Sequence, residues 1–160
     1  MAWSKNGTPS TLTVAGDVIT ISDVSAKKFN VVLNHIIGST TVDIDQTFNN
    51  NANAVYAIRK SADGGVESTA TGDTKIDKNT TATTIFDINY CCSLSTEEKI
   101  GIGFLVNQST AGVGTAPSRL EYVYKFVPSP DADISRVDAS NTGTTNEYSI
   151  GSNLSILGSD

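Results

Sequence analysis

The sequence predicts an all-β protein: a single-domain β-sandwich of jelly-roll or Greek-key type, with about ten short strands and at most one short helical turn. Three observations carry that expectation. Apolar residues recur at every second position in stretch after stretch, the period of a half-buried strand. Clusters of Gly, Asn, Asp and Pro interrupt those stretches at roughly eight- to twelve-residue intervals. Ser, Thr, Asn and Gly are abundant, and Thr, Asn and Gly are poor helix formers.

The stretch Thr40 to Gly65 reads as a central hairpin. Val42, Ile44 and Phe48 take one face, with Asp43, Asp45 and Thr47 on the other. The run Asn49-Asn50-Asn51-Ala52-Asn53 breaks the alternation as a structured turn, because Asn bonds nearby backbone and tolerates left-handed conformations. Val55 to Lys60 resumes as a strand, and Asp63-Gly64-Gly65 supplies the positive φ angles of a reversal.

Before it, Leu12 and Val14 alternate with threonines, Gly16-Asp17 marks a turn, and Val18 to Ile21 is a strand. Phe29, Val31, Leu33, His35 and Ile37 share one parity of a long strand, with Asn30, Val32, Asn34 and Ile36 on the other. After it, Val66 to Lys78 is mostly loop, with a short strand near Ile76. Thr83 to Cys92 is a strand with Thr84, Phe86, Ile88 and Tyr90 on one side. Ser95 with Glu98 forms a capping box for one helical turn. Ile100, Ile102, Phe104 and Val106 then alternate with Gly101, Gly103, Leu105 and Asn107, and the two glycines indicate close backbone approach or a bulge. Gln108 to Ser118 is a Gly/Ala/Thr loop. Leu120, Tyr122, Tyr124 and Phe126 give a strand with a heavy aromatic face, stopped by Pro128 and Pro130. Ile134 to Ala139, Glu147 to Ile150 and Leu154 to Leu157 complete the strands. Long returns around 62–78 and 107–118 favour Greek-key crossings over a meander. Nothing divides the chain, so residues 1–160 are one domain, with 1–10 as an N-terminal arm.

A chain of 160 residues can bury a core without metal or disulfide staples. The net charge of −6 argues against binding nucleic acid through its phosphates. The start, MAWSKNGTPST, has no apolar signal region, and no apolar run approaches membrane-spanning length. Synthesis in a cytoplasm is the expectation, with no membrane partner.

Chemistry-bearing residues are sparse. His35 is the only histidine, and sequence shows no nucleophile or acid to join it. Cys91 and Cys92 are adjacent, so on a strand they point to opposite faces and do not pair. Asp43 and Asp45 do not specify a glycosidase dyad, and calcium would need loops such as Pro128 to Asp133 to converge. No enzyme, cofactor or metal is expected. Trp3 is either a plug folded onto the sandwich or an anchor for a partner. Tyr56 and Arg59 beside Asn49, Asn50 and Asn51 form either a sugar-binding platform or, for Tyr56, core packing. Those six residues are the candidate interface or ligand surface.

Short elements along the chain carry a resemblance. They are Trp3, Gly16-Asp17 before Ile19, Lys27-Lys28-Phe29, Phe48-Asn49-Asn50, Tyr56-Ala57-Ile58-Arg59, Asp63-Gly64-Gly65, Glu98-Lys99, and the ending Gly151 to Gly158. The arrangement resembles small structural proteins encoded by tailed viruses of bacteria and archaea, marine ones especially. Asn51-Ala52 stands where such proteins often carry an Asp, a departure that weakens any metal site there. The resemblance implies a sandwich on the virion exterior, as capsid decoration or as a fibre or tail component. It also implies docking to capsid or tail proteins, commonly as a homo-oligomer, with no catalytic residues. A carbohydrate- or receptor-binding module, taking a host surface glycan, is the alternative.

Overall fold

The computed structural model describes residues 2–92, 98–143 and 147–160. Among these, the fold is all-β, with strands β1 (Ser4–Lys5), β2 (Ser10–Thr11), β3 (Val18–Ile21), β4 (Phe29–Phe48), β5 (Tyr56–Ala62), β6 (Ser68–Asp73), β7 (Ile76–Cys92), β8 (Lys99–Gln108), β9 (Ser118–Phe126), β10 (Val137–Ser140) and β11 (Asn153–Ser159). All pairings are antiparallel, in the order β1-β11-β4-β7-β8-β9-β5-β6, with β10 and β3 continuing from β4. The capping box reaches into residues 93–97, which lie outside the described residues.

Two long strands turn this one network into a sandwich. The first half of β4 pairs with the second half of β7, from Phe29↔Cys92 to Ile37↔Thr84. The register then shifts, and Val42 to Gln46 pair with the first half of β7. Gly38 sits at that break, where an added Cβ would run into the Thr40 carbonyl and Val42. The far halves of β4 and β7, with β10 and β3, fold back over β8, β9 and β5. Phe48 accordingly packs against Tyr124 and Phe126, at centroid distances of 6.0 and 5.5 Å.

The expected central hairpin is not one. β4 pairs with β7, β10 and β11, and β5 pairs with β6 and β9. The Asn run carries the chain from one layer to the other. Asn49 and Asn50 hold φ of 57° and 51°, the left-handed tolerance read from their chemistry. Asn49 also ties down the approach to β10: its Oδ1 accepts from the Ser135 and Arg136 amides at 2.8 and 3.2 Å, and its Nδ2 donates to the Asp133 carbonyl at 2.8 Å. The return at 62–78 contains a crossing, because β6 pairs only with β5 while the next strand, β7, lies beyond β5, β9 and β8, whereas the return at 107–118 is the β8–β9 hairpin loop. The first holds a two-residue turn at Asp63 and Gly64, both at positive φ, and a full strand β6. Further crossings are β4 to β5, which spans β7-β8-β9, and β9 to β10 between layers.

Three strand faces point the opposite way from simple apolar burial. The long parity beginning at Phe29 is the outer one at its centre, where His35 is exposed, while Asn30, Val32, Asn34 and Ile36 are buried. On β7 the buried side is Ile85, Asp87, Asn89 and Cys91, and Phe86 and Tyr90 are exposed. On β8, Lys99 and Leu105 are buried, and Ile100, Ile102, Phe104 and Val106 are exposed. The cause lies on β9. Tyr122 stands opposite Gly103 and Tyr124 opposite Gly101. Each ring lies across its glycine so closely that an added Cβ would collide with it. The Tyr122 hydroxyl then reaches β7 beyond, donating to Asp87 Oδ1 at 2.6 Å, and Tyr124 donates to Asn89 Oδ1 at 3.0 Å. Four large β9 side chains fill the interior, so β8 must turn its glycines inward and its aliphatic row out.

Asp45, expected on a solvated face, is buried as well. The register shift between Asp43 and Asp45 rotates it inward, beside Gln46. The interior therefore contains a polar centre. Lys78 and Asp87, both fully buried, pair at 2.7 Å. Asn34 Nδ2 donates to the same Asp87 oxygen at 2.8 Å. Asn89 donates to Gln46 Oε1 at 2.8 Å, and the Lys78 ammonium lies 5.5 Å from the Tyr122 ring centre. Buried charges are tolerated only when paired and bonded in this way.

Three stability outcomes follow from this packing. Gly103→Ala displaces the Tyr122 ring from Asp87 and should cost about 3 kcal/mol in urea denaturation, combining overpacking with a lost charged hydrogen bond. Gly114→Ala, where an added Cβ meets nothing, should stay within about 0.5 kcal/mol of wild type. Lys78→Met leaves Asp87 buried without its cation and should cost roughly 3–5 kcal/mol, part of which Lys78→Met/Asp87→Asn recovers. Equal losses in the single and double variants would show that the pair does not hold the layers together.

Candidate functional site

The alternation that buries Tyr122 and Tyr124 leaves the opposite face of the main sheet apolar and open. Cross-strand register organises this face into rows. One row runs Tyr90, Ile102, Val123 and Arg59 across β7, β8, β9 and β5; the next runs Ile88, Phe104 and Glu121. Ile100 is 61% exposed, Phe86 49%, and Ile102 and Phe104 45% each. With Tyr90, Val106, Val123 and Trp3, they present on the order of 700 Å2 of apolar surface, given about 150–250 Å2 per aromatic side chain. The largest patch on an ordinary monomer is roughly 300–600 Å2.

The face is not flat. A groove of about 730 Å3 lies at one end, lined chiefly by Ile100, Ile102, Val123, Ala57, Tyr90 and Trp3. Phe86, Phe104 and Val106 stand outside the groove, at the other end of the same face. β1 pairs with the end of β11, from Ser4↔Gly158, and this anchors the arm that brings Trp3 to the groove. Charges on the rim are matched within the chain: Arg59 with Glu67 at 3.5 Å, Arg119 with Glu121 at 3.7 Å, and Lys125 with Glu98 at 3.2 Å.

The structure separates the six residues singled out from sequence. Trp3 and Arg59 line the groove. Asn49, Asn50 and Asn51 lie at the β4–β5 crossing. Tyr56 takes the core-packing alternative: it is buried, stacked on Phe126 at 4.9 Å, and its hydroxyl accepts the Phe48 amide at 2.8 Å. The strands that carry most of the face, β7 and β8, contributed no candidate. One sequence signal did point there. A strand with glycine at alternate positions, paired with one carrying tyrosine at alternate positions, fits only if the rings cover the glycines.

The other reactive groups do not converge on one centre. His35 is exposed, in register with Phe86. Cys91 is buried beside Tyr124, and burial pushes its thiol up to about 12, while Cys92 faces the groove. Asp43 accepts the Thr142 amide at 2.7 Å, and Asp45 pairs with Lys75 at 2.7 Å. Among the described residues, no three His, Cys, Asp or Glu side chains are grouped to hold a metal ion. In comparison with known proteins, no family model and no curated sequence matches this chain.

Asp45 sets a pH dependence. Burial, assisted by neighbouring Asp43 and Asp77, pushes its carboxyl up to about 6 against the pull of Lys75. The folded state thus holds this proton more tightly than the unfolded chain does. The contribution is complete below about pH 4 and is lost as pH rises through 6. Asp45→Asn removes that dependence. Its stability relative to wild type should rise by on the order of 2–3 kcal/mol between pH 4 and 7 in urea titrations. A difference that stays flat with pH would show that Asp45 titrates normally.

Proposed function

We propose that this chain is a structural protein of a virion exterior, acting by protein–protein docking through the outer face of its main sheet. One observation carries the docking part: an apolar face larger than a free surface normally tolerates, rimmed by charges that are already matched. Such a face loses free energy when another protein covers it, at roughly 25 cal/mol per Å2 of apolar area. The buried polar groups Lys78, Asp87, Asn34, Asn89 and Gln46 bond to one another in the interior, which agrees with a role in assembly. The virion setting rests on the resemblance along the chain. The groove end, where Trp3 and Tyr90 stand near Arg59 and Thr69, favours one second reading, a carbohydrate- or receptor-binding module.

Protein mass spectrometry on purified particles of a tailed virus encoding this chain tests the setting. The chain should appear in copies comparable to the other structural proteins, and should not bind a glycan array. Absence from the particles, or saturable glycan binding lost in Trp3→Ala, would transfer the assignment to the second reading.

A further inference from the structure

The docking proposal leaves open what covers the face, and the shape of the face names a candidate. Resting on that proposal, we infer that the occupant is a second copy of this chain, packed face to face about a two-fold axis. The ridge of each copy, Phe86 and Phe104, enters the groove of the other.

Area is the first ground. A patch on the order of 700 Å2 is close to the roughly 800 Å2 per partner of a standard stable interface. Charge is the second. Each copy carries a net charge of −6, so two copies repel unless they meet where local charge cancels. The rim is such a place, since Arg59, Arg119 and Lys125 are each paired with an acid of the same chain. A strongly charged partner would find little here to bind. Shape is the third. Phe86 and Phe104 lie beyond the groove on the same face, and a two-fold axis between the two places each phenylalanine pair over the partner's groove, the self-complementary relation an isologous interface requires. Antiparallel sheets pack face to face in this manner about 10 Å apart, with their apolar rows interleaved. Phe104 is the side chain best placed to anchor the contact, because aromatic groups entering apolar pockets dominate interface energetics.

Sedimentation velocity and native mass spectrometry of the purified chain at tens of micromolar test this. Wild type should run at twice the 16.8 kDa chain mass. Phe104→Lys on the ridge and Val123→Glu in the groove should each weaken self-association by at least about tenfold. Both side chains point outward, so the far-ultraviolet circular dichroism of each variant should remain that of wild type. Mixing the two variants should restore a dimer, because a lysine ridge then meets a glutamate groove while the other contact stays native. A monomeric wild type overturns the inference, as does a dimer that survives both substitutions. A monomer that carries a co-purified small apolar molecule overturns it in favour of a ligand groove. Presence of the chain in virus particles is measured separately, so a monomer found there refutes the second copy and leaves docking standing.

Discussion

Two tyrosine rings on β9 lying flat over two glycines on β8 are the constraint on which the rest of the structure depends. Because Gly101 and Gly103 have no side chains, Tyr124 and Tyr122 can cross β8 and bond to Asn89 and Asp87 on β7. That contact locks three strands in one register. A slip of a single residue would turn every ring outward and every β8 aliphatic inward. Burial and the adjoining Asp87 carboxylate hold the Tyr122 hydroxyl well above its ordinary range, so it remains a donor at any physiological pH.

The same contact gives the molecule an unusual distribution of polarity. Asp87, fixed by Tyr122, must be neutralised, and Lys78 arrives from the opposite layer to do so. Asn34 donates to Asp87, and Gln46 Oε1 accepts from Lys78 at 3.4 Å and from Asn89 at 2.8 Å, while Asn34 Oδ1 and Gln46 Nε2 stay unbonded among the described residues. The interior therefore holds charges and amides, while Phe, Ile and Val stand on the outer face of β7 and β8. Well-paired buried charges can specify a fold without adding to its stability over an apolar core. The exposed aliphatic rows are the other side of that arrangement, and they link the packing to the proposed docking.

The long strands supply the second level of organisation. The register shift at Gly38 bends β4 from one layer into the other, and β7 follows. Asn49 then fastens the far end of β4 to the approach of β10 through both ends of its amide. The bend also buries Asp45 near Asp43 and Asp77, which raises its carboxyl against the pull of Lys75.

Local rules were enough to read much of this from sequence. Alternation and turn chemistry identified an all-β chain, most of its strands, the left-handed Asn49 and Asp63, and the opposed faces of Cys91 and Cys92. Gly101 and Gly103 were legible as positions of close approach. Which face of β7 and β8 looks inward was not legible, because alternation names two faces without ranking them, and here the apolar face lost to the volume of the tyrosines on β9. The crossing at the Asn run looked like a hairpin, since strand, turn and strand read alike whether the two strands pair or separate. Asp45 took its burial from layers brought together by residues far away in sequence. Sequence alone therefore determined the period and punctuation of the strands, which depend on a residue and its near neighbours. Partners, register and the open apolar face were decided by tertiary structure, because they depend on how side-chain volumes from distant strands share one interior.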